Sequence, residues 1–207
     1  MRVPRPERGV KSLQGGAPQD FHGQTRSNAT HASTTDPDAR LYKKTRGAEA
    51  RLAYLGHLLI ENRHGLIADA MATHADGTAE RDAAVLMLDR DGRRRGYRRR
   101  TVGADKLFDQ AEFVEISRGL HVTPHVSQNL KRNGGSAIDG RTTRHPGYAK
   151  SLHERPRIEP AFGWLKTIAW LRKVKLRGLP HVEWLFVFAS AAFNLRRLVT
   201  LRAPVPS

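Results

Sequence analysis

RLAYLGHLLIENRHGLIADAMATHA, residues 51–75, holds two apolar runs separated by the polar segment Glu61 to Gly65. Apolar runs of strand length joined by a short glycine-containing segment signal a hairpin, here with strands near 51–60 and 66–74. The segments after this hairpin decide the fold class. GTAERDAAVLMLD, from Gly77, spaces Ala79, Ala83, Leu86 and Arg90 along one side and predicts a helix of about 12 residues starting near Thr78. The run from Arg90 to Arg100 contains seven arginines interrupted by Gly92 and Gly96, and reads as a solvated loop. RRRTVGA then reads as a short strand ending at Asp105. DQAEFVEISRG predicts a helix with Ala111, Val114 and Ile116 inward and Gly119 as its stop, and LHVTPHVS a further short strand.

The rest of the chain extends the pattern. NLKRNGGSAIDGRTTRHPGYAK is a loop-rich insertion. Pro160 suits a helix start, where its missing N–H costs nothing, and Phe162, Leu165, Ile168 and Ala169 come after it at helical spacing. Pro180 breaks the chain, and a second apolar helix runs over 182–201, with WLFVFASAAFNL (184–195) as a buried core helix. Trp164, Trp170 and Trp184 read as helix-packing aromatics. Residues 1–47, rich in Gly, Pro, Ser, Thr and Asn, form a loop-rich arm, which leaves 48–202 as the domain. Hairpin, helix, strand, helix, strand and helices in that order make an α/β domain with a central sheet.

Composition narrows the function. Lys and Arg number 36 against 20 Asp and Glu, a formal net charge of +16, which favours an anionic partner such as nucleic acid. The absence of cysteine excludes disulfides and thiolate metal sites. No apolar run near the start serves as a signal peptide, and 184–195 is shorter than the roughly 18 residues that span a bilayer. The expected location is the cytoplasm, with no membrane partner.

Two carboxylates stand out against this basic background. Asp105 ends a strand just before a helix, the edge where open α/β sheets bind ligands, and the same position suits a turn or N-cap aspartate. Glu159 lies four residues after Arg155 and seven before Lys166, a spacing that brings Glu159 and Lys166 to nearly one helical face and equally fits a surface ion pair. Hydrolysis or transfer at a phosphodiester needs an activated hydroxyl and a stabilised leaving oxygen, which two divalent ions supply. Mg²⁺ prefers carboxylate oxygens. His121 and His125, separated by Pro124 in a strand-like segment, do not form a helical metal pair. Asp36 and Asp38 flank Pro37 and read as turn residues.

FHGQTRSNATHASTTDPDARLY, GHLLIENRHGLIADA, TVGADKLFD, SAIDGRTTRHPGYA and RPRIEPAFGWLKTIAWLRKVKLRGLPHVEWLFVFASAAFNLRRL occur in that order from Phe21 to Leu198. As a set they resemble the C-terminal, catalytic part of bacterial insertion-sequence transposases of the DDE type. The resemblance implies a ribonuclease-H-like mixed sheet flanked by helices, two Mg²⁺ or Mn²⁺ ions, and DNA strand cleavage and strand transfer at transposon ends. It assigns the second acidic ligand to Asp105 and the third to Glu159, within a signature that includes Arg155 and Lys166; Leu152 stands where relatives often have tyrosine. Arg98, Arg99, Arg100, Arg172 and Lys173 are the further expected DNA contacts. The first aspartate of the family, carried on a first strand, has no counterpart in residues 1–20, where Asp20 lies in a polar context, and Asp69 sits on a later strand. The expectation is an N-terminally truncated copy, in the cytoplasm near the nucleoid, that meets transposon ends and target DNA as a homodimer or beside a full-length transposase. The competing expectations are a non-catalytic DNA-binding remnant or inhibitor, and a basic RNA-binding protein.

Overall fold

The computed structural model describes residues 27–29, 32–43 and 48–202. Asp20 and most of the expected arm lie outside the described residues.

The hairpin forms as its sequence predicts. β1 (Arg40–Tyr42), β2 (Arg51–Ile60) and β3 (Ile67–His74) make an antiparallel sheet in that order. β1 falls inside the segment expected to be loops. The Asn28 side chain holds it by accepting from the Leu41 N–H at 2.7 Å and donating to the Leu41 carbonyl at 2.9 Å. At the β2–β3 turn the Glu61 carboxylate accepts the N–H groups of Arg63 and His64, and Gly65 takes a left-handed φ of 71° that favours glycine. A bulge between Leu59 and Ile60 shifts the register, pairing Leu59 with Asp69 but Ile60 with Ile67. One extra residue switches the alternation of faces. Leu58, Ile60, Ile67 and Ala70 therefore share one core with the last two helices, while Leu59 packs into another.

β4 (Arg100–Ala104) and β5 (Val122–Val126) form a separate parallel pair, Arg100 opposite Val122 through Ala104 opposite Val126. Parallel neighbours need a crossover, here α2 (Ala111–Gly119). Its buried side chains are Phe113, Val114 and Ser117, so the expected inward set is corrected: Ala111 and Ile116 face solvent. The stripe at 113, 114 and 117 has the helical spacing that packs on β5, and Ala111 lies in the first turn, off that stripe.

α1 (Ala79–Arg95) carries the second correction, because the arginine run expected to be loop is helical through Arg95 and stops at Gly96, φ 76°. Aspartates offset the repulsion. Arg93 pairs with Asp89 at 2.9 Å, Arg94 with Asp69 at 3.0 Å, Arg90 with Asp69 at 3.4 Å, Arg95 with Asp91 at 2.9 Å, and Arg100 with Asp91. Gly92 is required inside the helix: a Cβ there would meet the Tyr97 ring at 2.5 Å. The loop-rich insertion likewise contains α3 (Gly140–Thr143) and α4 (Pro146–Glu154).

α5 (Glu159–Thr167) begins with Pro160 in its first turn, and α6 (Leu179–Arg202) with Pro180 in the same role rather than as a break. Asp36 and Asp38, expected as turn residues, also accept the N–H groups of Gly178 (3.1 Å) and Leu179 (2.8 Å) at the start of α6. α6 is not the buried helix expected. Val182, Phe186, Ala189 and Ser190 are buried, whereas Trp184, Phe188, Leu195 and Val199 are more than half exposed. Trp170 is exposed as well, and of the three tryptophans Trp164 packs into the core beside Phe193. By length and hydropathy α6 could cross a bilayer, yet it is bound to the sheet. Asn194 accepts from the Ile67 N–H and donates to the Ile67 carbonyl, both at 2.8 Å.

α1 and α2 thus cover one side of the strands, while α4, α5 and α6 cover the other. Gly56 and Gly103 face the second layer: a Cβ on Gly56 would meet Phe186 at 2.6 Å, and one on Gly103 the Ser151 carbonyl at 3.3 Å. The result is a mixed α/β molecule whose strands fall into two sheets with two cores.

Candidate functional site

The end of β4 delivers Asp105 to the rim of a cleft of about 870 Å³ between the two sheets. Asp105 has extended backbone geometry and one carboxylate oxygen, Oδ1, accepts the Leu107 N–H at 2.8 Å, capping the 3-10 turn Lys106–Phe108. The N-cap role considered from sequence is therefore real. It uses one oxygen, and among the described residues the other makes no hydrogen bond.

Arg155 lines the same cleft, together with Ile158 and Phe162 from the 3-10 turn Arg155–Ile158 and from α5. Glu159 is exposed at the first position of α5, between these two apolar residues, and its side chain is not part of the cleft wall. Lys166 lies two turns along the same helix with its ammonium 5.6 Å from the Phe162 ring centre. The structure thus brings Asp105 and Arg155 to one cleft and stacks Glu159, Phe162 and Lys166 along α5. Among the described residues no three His, Asp or Glu side chains gather closely enough to hold a metal ion. Asp105, with an uncommitted oxygen, and Glu159, an exposed carboxylate at a helix start, are hard-oxygen donors of the kind Mg²⁺ takes. They fit as part of a ligand set and do not complete one.

The positive charge is distributed unequally. Five of the seven arginines from Arg90 to Arg100 are ion-paired, Arg100 among them, which leaves Arg98 and Arg99 exposed and unpaired among the described residues. Arg99 also belongs to a second hollow, of about 550 Å³, with Arg118, His121, Arg141 and His145. Asp139 partly neutralises it through Arg118 (3.2 Å) and Arg141 (2.9 Å); Arg141 leads the contacts that hold the Asp139 pKa near 2. Arg172 and Lys173 are exposed in the segment between α5 and α6.

Other polar side chains support the site without forming it, and sequence reasoning missed them. Asp109 is fully buried; its carboxylate accepts from the Asn129 N–H at 2.6 Å and the Ala137 N–H at 2.8 Å. Burial pushes its pKa up, but these bonds, the Ser136 hydroxyl and Arg132 together hold it below the ordinary value. Asp109 thereby ties the segment after β5 to the one after β4. His125, buried on β5, shares a 2.7 Å hydrogen bond with the Ser151 hydroxyl of α4, and burial lowers its pKa, aided by His145. Asp69, weighed as a substitute ligand, is committed to Arg90 and Arg94. An aspartate four residues after Asp105 carries no sequence signal that tells an anchor from a ligand.

The sequence model of the family described as transposase DDE domain matches residues 28–195. No curated protein and no solved structure matches the chain.

Proposed function

The chain belongs to the transposase DDE domain family, and from that premise we propose that it is the catalytic part of a transposase in which Asp105 and Glu159 are the metal-binding carboxylates and the ligand set is incomplete. The supporting observation is Asp105 itself: at a strand end, one oxygen committed to the chain and the other uncommitted, on a cleft that also contains Arg155. Two Mg²⁺ or Mn²⁺ ions, when bound, would activate the attacking hydroxyl and stabilise the leaving oxygen of DNA strand cleavage and strand transfer. Asp105 and Glu159 would hold them. Arg155 and Lys166 flank Glu159 and, with Arg98, Arg99, Arg172 and Lys173, bind the phosphates of transposon ends and target DNA. Arg100, engaged by Asp91, sets the start of β4 and contributes less to DNA. The ribonuclease-H-like reading fits the helical layers on both sides of the strands and the position of Asp105. Residues 48–202 are the catalytic unit, working near the nucleoid with a second copy or a full-length transposase.

A Mn²⁺-dependent nicking assay on DNA bearing the element's terminal repeats tests this reading. The 207-residue chain alone is expected to bind DNA and to nick it weakly or not at all. Robust cleavage abolished by Asp105→Ala would overturn the claim of incompleteness, and failure to bind DNA would overturn the assignment to strand transfer. The second reading is a DNA-binding remnant or inhibitor, favoured by the lack, among the described residues, of any group of three His, Asp or Glu side chains that could hold a metal ion. It predicts that Asp105→Ala and Glu159→Ala leave inhibition of a full-length transposase unchanged.

A further inference from the structure

Trp170 holds a conformation and a position that nothing in the fold rewards. Its backbone is left-handed, φ 57°, in a region that favours glycine and that bulky side chains rarely enter. The turn it makes ends α5: the Ala169 N–H donates to the Trp164 carbonyl at 3.2 Å and the Leu171 N–H to the Leu165 carbonyl at 3.1 Å, in the manner of a left-handed helix cap. That cap needs the backbone of residue 170 and not an indole. The core does not use the ring either, which is 76% exposed while Ala169 and Leu171 on either side pack inward. An exposed aromatic alone needs no explanation; one kept in a costly backbone conformation points to a ligand.

Charge names the class of that ligand. From Pro160 to Val182 the chain has no Asp or Glu, and five cations: Lys166, Arg172, Lys173, Lys175 and Arg177. All five are exposed, and the nearest ion pair along the chain is that of Arg157 with Glu154. The arginines of α1, by contrast, are neutralised by aspartates. An aromatic face among uncompensated cations fits a nucleic-acid strand, with its phosphates on the cations and a base on the ring.

We propose that Trp170 is a stacking site for an unpaired DNA base, with Arg172 and Lys173 holding the phosphates beside it. Stacking of this kind tolerates any sequence, because every base has a π-face. It requires a base that has left the duplex stack, so the site selects single-stranded or locally unpaired DNA over intact duplex. α5 is nine residues long and keeps Trp170 about 14 Å of helix away from Glu159. The stacked base therefore flanks a phosphate held at Glu159 rather than carrying it. The inference rests on the reading of the chain as a DNA-binding transposase domain for the kind of strand bound, and not on any metal site.

The test uses the full chain, without metal, and two labelled probes: an oligothymidylate of about 12 nucleotides and a blunt duplex of the same length. Trp170→Gly is expected to weaken binding of the single strand by roughly 5- to 100-fold, the worth of one stacked base, and to leave duplex binding unchanged. Trp170→Phe is expected to keep most of the affinity for the single strand and Trp170→Leu to lose it, since leucine is apolar but has no π-face. The denaturant midpoint of Trp170→Gly is expected to hold or rise, because glycine accepts the left-handed φ without strain. Equal losses on both probes, equal affinities of the Phe and Leu variants, or a lower midpoint for Trp170→Gly would overturn the proposal, as would a wild-type chain that binds no single strand. Nicking of terminal-repeat DNA with Mn²⁺ is scored separately. Stacking without nicking leaves the site and removes the strand-transfer reading, and nicking with single-strand affinity unchanged in Trp170→Gly does the reverse.

Discussion

The antiparallel half and the parallel half of this molecule are held together by different means. β2 and β3 are neighbours in sequence, joined by a six-residue turn that Glu61 and Gly65 organise locally. β4 and β5 meet only after α2 crosses between them, and the segment following β5 is tied back by a buried carboxylate, Asp109. Local pairing costs little loop-closure entropy, and parallel pairing costs more. The half that carries Asp105 therefore adds buried polar ties, Asp109 and His125, to its apolar core, and the half that does not closes its strands through a local turn.

The largest expected effect breaks the parallel half. Asp109→Ala leaves two backbone N–H groups buried without their acceptor and is expected to cost about 3 kcal/mol, read as a lower denaturant midpoint with exchange protection lost first in 122–138. A smaller loss confined to 51–74 would show that Asp109 is not what holds this half together. Next, Gly56→Ala drives a methyl into Phe186 and is expected to cost about 1–3 kcal/mol by overpacking, loosening α6 from the antiparallel half and leaving β4–β5 protected. Asn194→Ala, which removes both hydrogen bonds to Ile67, is expected to cost about 1–2 kcal/mol at the same interface.

Acid reaches both halves through buried histidines, His57 on β2 and His125 on β5. Burial holds His57 near a pKa of about 4, below the roughly 6.5 of an exposed imidazole, so the unfolded chain takes up the proton first. The stability associated with neutral His57 is complete above about 6.5 and is lost as pH falls towards 4. For Asp109, whose pKa is lowered from 3.8, the stability is complete above that value and is lost only as pH falls through its lower folded pKa. Thermal melts from pH 7 to 4 are expected to destabilise the wild type progressively and His57→Asn less, the remaining slope coming from His125, whose pKa burial also lowers. The same slope in His57→Asn would assign the effect elsewhere.

The smallest effects concern the arginines. Arg98→Ala and Arg99→Ala are each expected to lower the slope of log affinity for DNA against log salt by about one and to leave stability unchanged. Arg94→Ala, which breaks the pair with Asp69, is expected to do the opposite. Equal DNA effects at all three positions would show that ion pairing in α1 does not partition this run.

Several features were legible because their causes are local. The hairpin at 51–74, the strand ending at Asp105 and the helix opened by Pro160 arise from apolar period, turn chemistry and proline geometry within short windows. The ordered blocks made the family legible, as the match over 28–195 shows. The helical arginine run was not legible, because its neutralisation comes in part from Asp69 on β3, about 20 residues earlier in the chain. Nor was the exposed face of α6: hydrophobic content alone does not say how much surface the rest of the fold can cover.

By itself the sequence determined the mixed α/β class, the excess of positive charge and the place of Asp105 at a strand end, since each depends on composition or on neighbours a few residues apart. Only the tertiary structure decided that the strands divide into two sheets with a cleft between them, that Asp105 keeps one oxygen uncommitted, and that most arginines before it are occupied. Those outcomes depend on which distant groups meet, through pairings of strand edges and charges that no local window contains.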